Sequence, residues 1–262
     1  LFLLPPYATE AREHLGDLRP LAVRAPLEED LAPRAEVWLY GLFGAEAPVA
    51  AALLERGHHR VEGRDFPGGI RIERFALAGP RAQVRFTVTA SLAQASVAHR
   101  HPNGRREPCA RWRAEGGGRW VCPHDGAWLY AGVEHHRMGE HTRRCVWAHP
   151  PREGWLEIVF ADVPRATRLV GRAGHTLNAS RRARAPVFLD VTVDDGPEQR
   201  FVFELDDTWT PFRLTMPAAS STVGEDRARL RFAVSSPDNG ANHFCFVADL
   251  RDPGPGGGEP ES

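Results

Sequence analysis

The residues that offer chemistry sit close together. "CARWRAEGGGRWVC" runs from Cys109 to Cys122, and "DGAWLYAG" follows shortly after it. Together they bring Trp112, Trp120, Trp128 and Tyr130 near Arg111 and Arg113. A flat aromatic ring presents a π face to the C–H face of a sugar ring, and a guanidinium donates to hydroxyls or acids. Trp128 and Tyr130, which follow a polar turn, are the first candidates for ligand binding. Trp112, Arg111 and Arg113 are the second group. Trp147, Trp155 and Trp209 complete the tryptophans of the expected sandwich, and most of these rings must be core, because large aromatics dominate cores.

The four cysteines are Cys109, Cys122, Cys145 and Cys245. A zinc ribbon wants cysteines two to four residues apart, twice, and no CxxC exists here. "CPH" brings His124 near Cys122, but the remaining spacing fits no ligand pattern. The glycines at 116–118 permit a tight hairpin that brings Cys109 and Cys122 together, with Trp112 and Trp120 near-opposite. Cys145 in "RCVWAH" and Cys245 in "HFCF" then form the second pair. The alternative is four reduced thiols buried as small hydrophobes. The even count and the flanking strands favour two disulfides, hence an extracytoplasmic (periplasmic or cell-surface) location.

Other titratable groups read as structural. "VEHHRMGEH" holds His135, His136 and His141 in the wrong order for HExxH, so an exposed loop is expected, without metal. Glu204, Asp206 and Asp207 in "FELDDTW" offer carboxylates for acid–base work or calcium, although a strand-end turn is the commoner use. "NAS" at 178–180 matches a glycosylation sequon, a match common by chance. No GxSxG and no phosphate loop are found. No catalytic residue and no cofactor are assigned.

Composition bounds the rest. The chain has 262 residues, is 42 % hydrophobic and carries a net charge of -1, which argues against a polyelectrolyte binder of nucleic acid. All 33 basic residues are Arg, so Schiff-base and Walker-lysine chemistry is excluded. Residues 81–150 hold 11 Arg against 5 acids and 7 of the 12 His. That basic third meets an anionic ligand or, more simply, the acidic final third. "LFLLPP" reads as the last turn of a membrane helix or the stub of a longer chain, and no other apolar run is long enough to span a bilayer.

The elements that must position these groups fall into two regions. Residues 15–80 alternate: strands at "RPLAVRA" and "AEVWLYGLF", a helical turn at "PLEEDLAP", a helix at "GAEAPVAAALLERG" stopped by Gly57, and two strands around Pro-Gly-Gly. Ile70, Ile72 and Phe75 are expected to point one way, with Arg71, Glu73 and Arg74 opposite. From "QVRFTVTA" the helical pattern vanishes, and short strands rich in Val, Phe, Leu and Thr follow. The expected class is α+β: a small α/β layer, then a predominantly antiparallel, jelly-roll-like β-sandwich. The boundaries are a membrane-proximal stub 1–14, an α/β domain 15–80, a sandwich 81–252 and a flexible tail 253–262.

Two resemblances follow. "LFLLPPY", "AEVWLYGLFG", "APVAAALLERG" and "RDFPGGIRIERF" resemble the extracytoplasmic C-terminal end of polyprenyl-phosphate-sugar-dependent, mannosyltransferase-like membrane glycosyltransferases. The succession "CVWAHPP", "WLEIVFADVP", "LVGRAGH", "APVFLDVTVDD" and "HFCFVADLR" resembles galactose-binding-like jelly-roll modules. The first implies a non-catalytic accessory region, tethered to the membrane upstream of Leu1 and near lipid-linked sugar. The second implies a glycan or protein ligand. The glycosyltransferase family's catalytic loops are absent, so none of its catalytic residues carries over. A free-standing secreted carbohydrate-binding or adhesion protein, and a glycan hydrolase, are the alternatives.

Overall fold

The structure, a computed structural model, describes residues 2–4, 20–22, 31, 36–42, 44, 46–55, 57–77, 82–112, 118–123, 128–139, 141–217 and 227–253. The chain divides into two compact units, one built mainly on residues 1–83 and the other on 84–139 and 144–252.

The first unit is a small α/β layer. Its elements are β1 (Phe2–Leu4), β2 (Pro20–Ala22), β3 (Glu36–Leu42), α1 (Ala47–Glu55), β4 (His58–Phe66) and β5 (Ile70–Leu77). The strand order is β2-β1-β3-β5-β4. Strand β1 runs parallel to both neighbours, whereas β3, β5 and β4 are antiparallel. Val37 and Leu39 of β3, Phe75 of β5 and Val49, Ala50 and Leu53 of α1 close its core. Gly57, at φ +81°, supplies the left-handed residue that lets the chain leave the helix.

Two readings change here. Phe2–Leu4 is a strand paired to β2 and β3, not a helical stub. Phe75 shares its side of β5 with Glu73, not with Ile70 and Ile72, because strand side chains alternate strictly. Glu73 is 2 % exposed and is held by ion pairs from Arg60 Nε at 2.9 Å and Arg71 Nε at 3.2 Å. A buried carboxylate needs such partners. Of the expected helical turn at 26–33, only Leu31 lies within the described residues, and the tail beyond 253 lies outside them.

The second unit is an antiparallel β-sandwich. Its strands are β6 (Gln83–Thr87), β7 (Ser96–Arg100), β8 (Arg106–Pro108), β9 (Ala110–Trp112), β10 (Arg119–Val121), β11 (Tyr130–Met138), β12 (His141–Ala148), β13 (Trp155–Pro164) and β14 (Arg168–His175). They continue as β15 (Val187–Val193), β16 (Gln199–Phe203), β17 (Thr210–Thr215), β18 (Arg227–Ser235) and β19 (Phe244–Asp252). One sheet is ordered β17-β14-β19-β12-β11-β10-β9, with β6 also on β19; the other is β16-β15-β18-β13-β7-β8. Phe232 of one sheet meets Phe246 of the other at 5.1 Å between ring centroids, and Phe203 meets Phe244 at 5.4 Å. Leu156, Ile158, Leu189, Val146 and Leu250 fill the same core.

The strand expected over 83–90 stops at Thr87. Val88 and Leu92, four apart and both buried, instead begin a turn of helix α2 (Val88–Ser91). The histidine segment is also not a loop: His135 and His136 lie on β11 and His141 on β12. Its charged sequence hid the strand, because polar residues occupy both sides of it: Glu134 and His136 on one, the exposed His135 and Arg137 on the other.

Both expected disulfides are present, Cys109–Cys122 and Cys145–Cys245. The first closes the β9–β10 hairpin and belongs to the core between the sheets. The register differs from expectation by one residue: Trp120 opposes Arg111, and Arg119 opposes Trp112. The two tryptophans are therefore not a cross-strand pair. Trp120 instead packs on the core and donates Nε1–H to Leu92 O at 3.0 Å.

On the outward side of the smaller sheet, two deeply buried carboxylates are clasped by guanidinium groups. Glu157 meets Arg100 Nε at 2.8 Å, Arg231 Nη1 at 3.0 Å and Arg106 Nη2. Asp190 accepts from Arg200 at 2.7 and 2.9 Å. The guanidinium groups also lie over aromatic rings, Arg100 on Trp155 and Arg200 on Phe188. Such pairs hold neighbouring strands in register, since an uncompensated buried charge is strongly destabilising.

Two measurements follow. Cys145–Cys245 spans 100 residues against 13 for Cys109–Cys122. The chain-entropy account assigns the longer loop about 4.7 kcal/mol and the shorter about 3 kcal/mol. Denaturant unfolding should therefore show a larger loss for C145S/C245S than for C109S/C122S, and the reverse order would contradict the assignment. His175 is fully buried, with Nδ1–H donating to Glu204 O at 3.0 Å. Burial holds its pKa below the ordinary 6.5, outweighing its bonds to Glu204 and Asn242. The unfolded chain then binds the extra proton, so stability is full above about pH 6.5 and falls as pH drops toward the depressed value. Thermal unfolding at pH 7.5 and 5.5 should show this loss, and H175Q should flatten it.

Candidate functional site

The larger sheet sorts its side chains by alternation. Val146 and Ala148 of β12 enter the core, so Cys145, Trp147 and the following His149 share the outward side. Leu129, Ala131 and Val133 likewise pack on the core, which leaves Tyr130, Gly132, Glu134 and His136 outward. Arg119 of β10 is in register with Gly132, and Cys245 of β19 with Trp147. The Cys145–Cys245 bond thus lies on this outward side and ties β12 to β19 beside Trp147.

These residues form one cluster. The Tyr130 and Trp147 rings stack at 5.7 Å, nearly parallel at 16°. His136 lies 5.0 Å and His243 5.1 Å from the Trp147 ring. Trp128 meets His149 at 4.5 Å, and His149 meets His243 at 5.7 Å. Tyr130 donates its hydroxyl proton to Glu134 Oε1 at 2.6 Å, and His136 Nε2 donates to Glu134 Oε2 at 3.0 Å. The Arg119 guanidinium stands 4.5 Å over the Tyr130 ring. Gly132 makes that approach possible: a Cβ there would lie 3.2 Å from both the Tyr130 ring and Arg119 Cβ.

Charge follows from this geometry. The His136 hydrogen bond, aided by Tyr130 and Arg119, holds the Glu134 carboxyl below its usual range despite partial burial. Burial, then the bond to Glu134, pushes the Tyr130 hydroxyl well above its ordinary value. Burial, then the nearby His136 and Arg182, lowers the pKa of His243. At neutral pH the cluster therefore offers an ionised acceptor, a neutral phenol and flat rings. It also offers the Trp147 Nε1–H, which is buried and has no hydrogen-bond partner among the described residues. An unmatched buried donor costs about 1–3 kcal/mol, and an incoming acceptor relieves that cost.

Of the sequence candidates, Trp128 and Tyr130 meet in this cluster, bridged through Trp147 and His149. Arg111 and Trp112 are placed only as backbone in β9, and Arg113 lies outside the described residues. Sequence reading held Trp147 only among the general aromatic candidates and missed Arg119, Glu134, His136, His149 and His243. The available signal was the phase of β11 and β12, which the notion of a histidine loop concealed. Trp155 and Trp209 are elsewhere: Trp155 lies under Arg100, and Trp209 is buried with its carbonyl accepting from Arg172. Asp206 Oδ1 accepts from the Thr208 backbone and hydroxyl, the arrangement of a turn.

No family model matches the chain, and no curated protein matches it. Some solved structures share part of its course. The CBM51-2 and INT domains of Clostridium perfringens ZmpB are 12 % identical, with a TM-score of 0.31, over 74 % of this chain and 30 % of that one. TmCBM61, solved with β-1,4-galactotriose, is 16 % identical, with a TM-score of 0.26, over 43 % and 69 % respectively. The active domain of bacteriophage CBA120 tailspike protein 4 is 10 % identical, with a TM-score of 0.30, over 65 % and 21 %. The chain thus spans under a third of the ZmpB domains it overlaps. Overlaps this loose carry nothing about ligand or activity, and the antiparallel sandwich rests on the chain's own strand register.

Proposed function

We propose that the sandwich is an extracytoplasmic carbohydrate-binding module whose ligand lies against the Tyr130–Trp147 face. The observation that carries this reading is the stacked Tyr130–Trp147 pair beside ionised Glu134, with the unmatched Trp147 Nε1–H in the same cluster. A sugar needs a flat apolar surface for its C–H face and directional groups for its hydroxyls; the cluster holds both, with Tyr130 and Trp147 as a largely buried floor, 8 % and 7 % exposed, and Glu134 and His136 part-exposed beside them. Glu134 accepts from a hydroxyl, the buried Trp147 N–H donates to one when the side chains covering it move aside, and Trp128 extends the aromatic wall. Arg111, Trp112 and Arg113 remain candidates for a neighbouring contact. The two disulfides support an oxidising compartment.

The wider setting within this proposal is an accessory region of a membrane glycosyltransferase, handling glycan or lipid-linked sugar near the membrane. Its support is the resemblance of the first eighty residues. No helix among the described residues is long and apolar enough to cross a membrane; the tether in this setting is a segment upstream of Leu1. Membrane helices encoded upstream would favour this setting; a signal peptide there would favour a free-standing secreted binder. The hydrolase alternative relies on Glu204, Asp206 and Asp207, and the turn bonds of Asp206 give it no help.

A glycan array followed by isothermal titration tests the binding reading. A glycan that binds the wild type should bind E134Q about tenfold or more weakly, the cost of losing a hydrogen bond to a charged group. W147A should abolish binding, whereas W155A, on the other sheet, should leave it unchanged. No response across the array, or equal affinity in E134Q and W147A, would overturn the proposal.

A further inference from the structure

The hairpin β7–β8 carries a second constellation, outside the aromatic face. "HRHPNGRRE" turns at Asn103-Gly104, with Gly104 at φ +86° and Asn103 Oδ1 accepting from Arg105 N at 3.0 Å. The turn closes with His101 N–H donating to Arg105 O at 2.8 Å. Register then sets His99 opposite Glu107 and Arg100 opposite Arg106. Alternation sends Arg100 and Arg106 outward to Glu157, and His99 with Glu107 to the other side. His101 joins them, its ring 4.1 Å from that of His99. One ligand atom from each of His99, His101 and Glu107 lies within 4.8 Å of the other two.

The tautomer of the neutral His99 ring is fixed by its surroundings. Its Nε2 lies 2.8 Å from Glu153 O, and a carbonyl only accepts, so Nε2 carries the proton. In the neutral ring Nδ1 then holds a lone pair. It is buried, on a residue 4 % exposed, and has no hydrogen-bond partner among the described residues. Glycine at 154 makes this possible: a Cβ there would lie 2.0 Å from Arg100 O, so only Gly lets the 152–154 turn close onto β7. An imidazole whose N–H is anchored on a backbone carbonyl, with its second nitrogen unprotonated, is the state in which histidine binds metals.

We propose that His99, His101 and Glu107 bind a divalent transition-metal ion of the zinc class. Two imidazoles and one carboxylate suit such an ion and leave a coordination position for water or a ligand oxygen. His101 and Glu107 side chains are 19 % and 14 % exposed, so the ion reaches the site from the hairpin end. Arg105 takes the cation's place in its absence. Its guanidinium lies 2.7 Å from Glu107 Oε1 and 3.3 Å from His101 Nε2, and its side chain is 61 % exposed on the turn, free to swing away. The ion and Arg105 compete for the same carboxylate and imidazole.

The test is isothermal titration of the untagged, chelator-treated chain with zinc chloride, paired with thermal unfolding. The wild type should bind one ion per chain and melt higher with zinc. H101A and E107Q should each bind about tenfold or more weakly and lose the thermal shift. R105A, an exposed turn substitution that leaves all three ligands in place, should bind zinc more tightly than the wild type. Absence of stoichiometric binding at tens of micromolar zinc, or wild-type affinity in both H101A and E107Q, would overturn the site. Weaker binding by R105A would overturn the competition.

Discussion

The aromatic layer between the two sheets sets the phase of every strand around it. Phe232 against Phe246 and Phe203 against Phe244 and Phe212 can be buried only one way, and a slip of one residue would turn each of them to solvent. Once Phe244 and Phe246 face inward, Cys245 must face outward, and its bond to Cys145 fixes β12 alongside β19. Val146 and Ala148 then complete the core, and Trp147 has no choice but the outward side. The candidate binding face is thus a consequence of core burial rather than a separate design.

The two outward faces differ in how they handle polarity. On the smaller sheet, Glu157 and Asp190 are matched by Arg100, Arg106, Arg231 and Arg200, which suits a structural clasp. On the larger sheet, rings stack on rings, Glu134 is held ionised by one histidine and one phenol, and a tryptophan donor is left unmatched. Satisfied networks hold a fold together, whereas an unmatched buried group needs another explanation, and a ligand is one.

Much of this was legible in the sequence, for physical reasons. The sandwich followed from short strands bounded by Gly, Pro and Asp, and the disulfides from glycine-permitted closure of one hairpin and pairing of the remaining cysteines. Trp128 and Tyr130 were singled out by the polar "DG" that precedes them in the sequence, and both rings lie in the cluster. What stayed hidden depends on strand phase. Glu134 and His136 lie on β11, where "VEHHRM" shows little apolar alternation because His135 and Arg137, in phase with Val133, are polar and exposed as well. Trp112 and Trp120 missed each other by one residue in the β9–β10 register, which a reading from the rings alone does not fix. The His99–His101–Glu107 group had a readable signal, an H-x-H strand and a Glu flanking an Asn-Gly turn. What no sequence pattern shows is the Glu153 carbonyl that fixes the His99 proton.

The most direct test of the central claim is the indole N–H resonance of Trp147, assigned with W147F in a two-dimensional nitrogen–proton spectrum and followed during titration with a glycan that binds the chain. The account predicts that this resonance shifts with saturation, in step with the amides of Tyr130 and Glu134. A glycan that binds while these resonances stay still would contradict it and place the ligand elsewhere on the molecule.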